Sequence, residues 1–91
     1  MEFEWDVDKN KLNQKKHQIS FEEAAEIFRY PTFEVADTRV DYGETRYIAI
    51  GSNNKLIIIT VVYTEREGKI RLISARRANK QEKKLYYEYC T

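Results

Sequence analysis

The sequence predicts an α+β domain of two N-terminal helices, a four-stranded antiparallel sheet and a C-terminal helix. Three stretches carry that expectation. Ser20-Phe21-Glu22-Glu23 is a capping box followed by Ala24, Ala25 and Phe28 at helical spacing from Phe21. Leu56 to Tyr63 is almost unbroken in apolar, largely β-branched residues, as a strand buried on both faces requires. Lys69 to Ala78 alternates apolar and basic residues and runs directly into Asn79, a helix-capping residue with Glu82 three positions on.

The elements follow in order. Phe3-Glu4-Trp5-Asp6 alternates apolar and acidic residues and reads as a short extended segment that packs Phe3 and Trp5 on the body. Asp8 is expected to cap a helix running to about His17. Leu12 is its only aliphatic residue, and Asn13, Lys16 and His17 share one face. A polar helix of this kind faces solvent, although a cation beside an imidazole also suits a phosphate. The second helix starts at Ser20 and ends by Pro31, which pushes its predecessor out of the α region.

Strands are predicted over Phe33 to Ala36 and Glu44 to Ile50, joined by the polar stretch Asp37 to Gly43. Gly51-Ser52-Asn53-Asn54 reads as a turn, Leu56 to Tyr63 as the central strand, and Glu65-Arg66-Glu67-Gly68 as a hairpin loop. Short loops between successive strands imply an antiparallel meander. In the strand that follows, strict alternation puts Ile70, Leu72, Ser74 and Arg76 on one side and Arg71, Ile73, Ala75 and Arg77 on the other. The last helix begins at Asn79 and turns Leu85, Tyr86 and Tyr89 inward, leaving Lys80, Lys83 and Lys84 in solvent.

Ninety-one residues make one domain, residues 1–91, with no room for a second core. No apolar run is long enough to span a bilayer and no signal-peptide pattern opens the chain, so no membrane partner is expected and the cytoplasm is the expected location. One cysteine excludes an intrachain disulfide, and one cysteine with one histidine argues against a structural zinc site; no metal or other cofactor is expected. The net charge of +1 hides an asymmetry: residues 1–45 hold 6 Lys/Arg against 11 Asp/Glu, residues 46–91 hold 10 against 4. A basic half in a near-neutral chain implies a local cationic surface.

No phosphate-binding glycine loop, paired-carboxylate signature or nucleophile elbow is present. Arginines, tyrosines, His17 and Glu44 remain, and these suffice for RNA cleavage without a metal. The ribose 2′-hydroxyl attacks its own phosphate while arginines neutralise the growing charge and a base takes the proton. Glu44 or His17 is the candidate base. Glu44 and Arg46, on one strand face, could flank a phosphate or simply pair with each other.

The ordered set F-E-W-D (Phe3–Asp6), K-N-x-x-N-x-x-K-H (Lys9–His17), I-S-F-E-E-A (Ile19–Ala24), G-E-x-R (Gly43–Arg46) and I-R-L-I-S-A-R-R-A (Ile70–Ala78) resembles the BrnT family, the toxin half of a bacterial type II toxin–antitoxin pair. The resemblance implies a RelE-like fold and a ribonuclease that inhibits translation. It also implies a BrnA-type antitoxin in a hetero-oligomer, with the pair repressing its own promoter through operator DNA held by the antitoxin. Carried over by motif, Arg76, Arg77, Glu44 and Arg46 are the catalytic candidates. Arg71, Arg66, His17 and Lys16 are the candidates for holding RNA. The antitoxin is expected to cover the basic sheet surface. Gln18 departs from the family, where glycine commonly follows the histidine and eases a left-handed helix end. The competing reading is a non-enzymatic module that binds an antitoxin-like protein or nucleic acid.

Overall fold

A computed structural model describes residues 1–91. The order of elements is β1 (Glu2–Glu4), α1 (Val7–His17), α2 (Phe21–Ala25) continued by a 3₁₀ turn (Glu26–Arg29), β2 (Phe33–Asp37), β3 (Arg46–Ser52), β4 (Ile58–Arg66), β5 (Lys69–Arg77) and α3 (Lys80–Cys90). The strands form one five-stranded sheet in the order β1-β5-β4-β3-β2.

The helices and the meander agree with the sequence reading, but the sheet gains a strand and its bounds shift. β3 is Arg46–Ser52 and not Glu44 to Ile50, and β4 is Ile58–Arg66 with Leu56 left exposed in the preceding turn. Glu65 and Arg66 extend β4, so only Glu67 and Gly68 turn the hairpin. The acidic-aromatic N-terminus is a fifth strand, and it pairs parallel to β5 with Phe3 opposite Ile70 and Glu4 opposite Arg71. The sheet is therefore mixed, not wholly antiparallel. Local pattern shows that such a segment is extended, but its partner lies at the far end of the chain and only folding brings the two together.

Caps explain the helix boundaries. Asp6, not Asp8, caps α1: its Oδ1 accepts from the amides of Asp8 (2.9 Å) and Lys9 (3.1 Å). Asp8 lies in the first turn, where a carboxylate favours the helix dipole. Gln18 closes α1 in the left-handed region (φ 56°), the conformation that glycine would adopt without strain. Both capping boxes form, Ser20 with Glu23 and Asn79 with Glu82.

Asn13 is buried and does not belong to a solvated face. Its Nδ2 donates to the carbonyls of Ile19 (2.9 Å) and Ala75 (2.8 Å), and its Oδ1 accepts from the Ala75 amide (3.1 Å). Beyond Arg71 the outer edge of β5 has no strand beside it. This one amide satisfies both backbone groups of Ala75 there and docks α1 to the sheet.

One face of the sheet is roofed by α1, α2 and the 3₁₀ turn over Phe21, Ile27, Ile59, Val61, Leu72 and Ala75. Gly51 belongs to that packing and not to a turn, since a Cβ there would meet Thr32 Cγ2 at 2.8 Å and Ile27 Cβ at 3.0 Å. Gly51 and Ser52 complete β3. The turn follows, with Asn53 Oδ1 accepting from the amides of Lys55 and Ile57. On the opposite face α3 covers only one end, where Leu85 and Tyr86 pack on Ile50, Ile58 and Phe33. The rest of that face is open.

Candidate functional site

The register between β4 and β5 decides which side chains reach the open face. Val62 pairs with Ser74 but Tyr63 pairs with Leu72, so Ile73 is an extra residue and the alternation slips there. Ile70, Leu72 and Ala75 are all buried in the roofed core, which strict alternation forbids. The predicted facing is corrected accordingly: Arg71 and Arg76 come to the same side, the open one. Arg71 lies across from Thr64 and Arg46, and Arg76 across from Thr60 and Ile50, with Val35, Ile48, Val62 and Ser74 between the two rows.

Every arginine of this face already holds a carboxylate. Arg71 Nη1 lies 2.7 Å from Glu4 Oε2. Glu44 serves two cations, Arg46 Nε at 3.3 Å and Arg66 Nη2 at 3.2 Å. Arg76 grips Glu82 of α3 with both ends of its fork, at 2.7 and 2.9 Å. Arg39 does the same to Asp37, at 2.8 and 3.0 Å. The Tyr42 ring lies 3.8 Å from the Arg46 guanidinium carbon, a cation–π contact.

These pairings shift the acids. Hydrogen bonds from Arg39 pull the Asp37 carboxyl down to about 2. A hydrogen bond from Arg66, aided by Arg46, outweighs burial and holds Glu44 below the usual range. Burial works against ionisation of Glu82, but the bonds from Arg76 and the Asn79 amide prevail and lower it. Glu44 is therefore a carboxylate at neutral pH, correctly ionised to accept a proton although its basicity is reduced. The most perturbed tyrosine lies elsewhere. Tyr63 is raised by burial and by its hydrogen bond to Glu34, and it stacks on Tyr47 against the roofed core.

The predicted residues thus divide. Glu44, Arg46 and Arg66 meet directly, although Glu44 precedes β3 and does not share its strand face. Arg71 and Arg76 join the same open face. Arg77 diverges from Arg76 and lines a pocket of about 160 Å³ with Lys83, Tyr87 and the apolar residues Leu56 to Ile58. Lys16 and His17 sit at the last turn of α1, one turn beyond the Asn13 clamp on β5, and make no hydrogen bond or ion pair with the arginines. Sequence reasoning missed Arg39 and Tyr42. The Asp37-x-Arg39 spacing repeats that of Glu44-x-Arg46 and was the available signal. No group of three or more His, Cys, Asp or Glu side chains is placed to hold a metal ion, and no helix is long and apolar enough to cross a membrane.

Fold and site together define an α+β sheet protein that roofs one face and presents guanidinium groups, on a partly apolar floor, from the other. Comparison with known proteins gives this class a family. The profile of the ribonuclease toxin BrnT, of type II toxin–antitoxin systems, matches residues 5–82, and the chain belongs to that family. Its structure is similar to the crystal structure of the Brucella abortus ribonuclease toxin BrnT, with a TM-score of 0.65 and 30% sequence identity over 88% of this chain and 99% of that one. No curated protein sequence matches.

Proposed function

We propose that this chain is a metal-independent endoribonuclease that arrests translation and is neutralised by a BrnA-type antitoxin. The observation that carries the reading is the presentation of Arg46, Arg71 and Arg76 on the same open face of a sheet whose sequence matches the toxin family from residue 5 to residue 82. Guanidinium forks suit phosphate oxygens and remain charged throughout the transition state. In this scheme the RNA backbone lies along the open face. Arg76 and Arg46 neutralise the phosphate as the 2′-hydroxyl attacks, and Glu44 accepts the hydroxyl proton. The P–O5′ bond breaks to leave a 2′,3′-cyclic phosphate and a 5′-oxygen that takes a proton from water. Arg71 and Arg66 hold the flanking backbone, while Arg77, turned to the other side of β5, lies off this path. Lys16 and His17 contribute at most a peripheral contact from the last turn of α1. The antitoxin blocks this face with acidic side chains, and the toxin–antitoxin complex represses its own promoter through operator DNA bound by the antitoxin.

The test is incubation of antitoxin-free protein with total bacterial RNA in EDTA, beside the R76A variant. New RNA 5′ ends are expected from the wild type, with cleavage at least about 100-fold slower in the variant, the scale on which loss of transition-state charge stabilisation registers. Undiminished cleavage by a folded variant removes Arg76 from the mechanism. Absence of cleavage by the wild type, in EDTA and in a translating extract alike, removes the enzyme.

A further inference from the structure

A second cationic surface lies around α3, and it differs from the arginine face in every respect that decides what it binds. Lys80, Lys83, Lys84 and Tyr87 recur at i, i+3, i+4 and i+7 along the exposed side of the helix. They line one continuous depression there. Arg77 joins them at the pocket beneath Tyr87. None of these four cations makes an ion pair.

Leu56, on the turn between β3 and β4, lines the Arg77 pocket, which meets the lysine depression at Lys83 and Tyr87 to form one groove, and it borders the depressions beside Tyr86. It is 86% exposed and sits in the left-handed region, φ 62°. That conformation favours glycine or asparagine, and a bulky apolar residue there is an outlier. Nothing in the fold uses the Leu56 side chain, so the strain and the exposure are both unreturned within the chain. With Tyr87 (56% exposed) it forms an apolar pair inside a ring of uncompensated positive charge.

We propose that this groove docks an acidic segment of the antitoxin, which places an apolar side chain between Leu56 and Tyr87 and its carboxylates on Lys80, Lys83, Lys84 and Arg77. The inference rests on the toxin–antitoxin reading above and adds a contact separate from the arginine face. Charge complementarity selects an acidic occupant. The aliphatic half of the anchor favours protein over RNA: Tyr87 alone could stack a base, but an exposed Leu56 gains only from an apolar side chain. The cations point the same way. Three of the four are lysines, compact charges on flexible stems, whereas the planar forks suited to phosphate lie across the open face.

The experiment measures the dissociation constant of the purified antitoxin for wild-type toxin, L56N and K83E. Hydrogen exchange on the wild-type complex, and on the toxin with a fluorescein-labelled single-stranded RNA, then locates each footprint. Leu56→Asn suits the left-handed turn and removes no buried surface, so its thermal midpoint should not fall. Each substitution is expected to weaken antitoxin binding about tenfold or more, as loss of an anchor does. Amides of residues 55–58 and 83–88 should be protected by antitoxin and not by RNA. Unchanged dissociation constants, or protection confined to the sheet face, overturn the proposal. Protection of the groove by RNA alone also overturns it, and assigns the groove to the substrate. Failure of wild-type toxin to bind antitoxin at all takes down the partner reading itself, and is told apart because the wild type fails too.

Discussion

On the open face of the sheet, Arg39, Arg46, Arg66, Arg71 and Arg76 each hold a carboxylate, whereas Arg77, Lys80, Lys83 and Lys84 around α3 hold none. The paired arginines are positioned before any ligand arrives, and an incoming phosphate must displace an acid to reach them. Such a face favours an anion that can replace both arms of a fork. The unpaired cations keep their side-chain freedom and attract acidic surfaces from a distance, which speeds encounter more than it selects. One strand, β5, supplies both regions, because the slip at Ile73 turns Arg71 and Arg76 to one side and leaves Arg77 on the other.

The comparison breaks most directly at the arginines. R46A/R71A is expected to slow RNA cleavage about 100-fold or more, measured by primer extension on a defined transcript, with Lys11→Ala on the solvated helix as the unaffected control. Retention of full cleavage would mean that the paired face is structural ornament. Next in size is the strand that feeds both regions. Asn13→Ala leaves the amide and carbonyl of Ala75 without partners and should lower stability by about 2–3 kcal/mol in chemical denaturation. Loss of a few tenths only would mean that water replaces the amide at that edge.

Acid separates the two regions without a mutation. Asp37, Glu44 and Glu82 have carboxyls lowered on folding, so their contribution is complete above the unfolded range and disappears as pH falls through the folded values. For Asp37 that window runs from the ordinary 3.8 down to about 2. The denaturation midpoint should be level from neutral pH to about pH 5 and then fall, with Asp37→Asn flattening part of the drop. The smallest expected effect calibrates the strain argued for Leu56. Gln18 shares its left-handed conformation but lies far from either region in sequence, and Gln18→Gly should raise stability by several tenths of a kcal/mol, to about 1.

Local chemistry was enough to read much of this chain. Capping boxes at Ser20 and Asn79, the apolar stripe from Phe21, the run from Ile58 to Tyr63 and the hairpin at Gly68 each depend on neighbours within a few residues, so the elements and the meander were legible, although Leu56, counted with that run, belongs to the turn before it. The charge asymmetry and the ordered motifs likewise pointed to arginines and to a family. Three features depended on residues far apart in the chain. The acidic N-terminal strand found its parallel partner at Lys69 to Arg71, making a fifth strand. Asn13, polar and set among lysines, became a buried clamp on Ala75, 62 positions away. Register also governs the arginines: a single extra residue at Ile73 reverses which of them share a face, and alternation counted along the sequence cannot sense a slip that exists only against β4. Sequence alone determined which residue types were available and which elements would carry them. Tertiary structure decided which arginines stand together, which acids hold them, and which cations remain free, because pairing and register are relations between strands and not properties of either one.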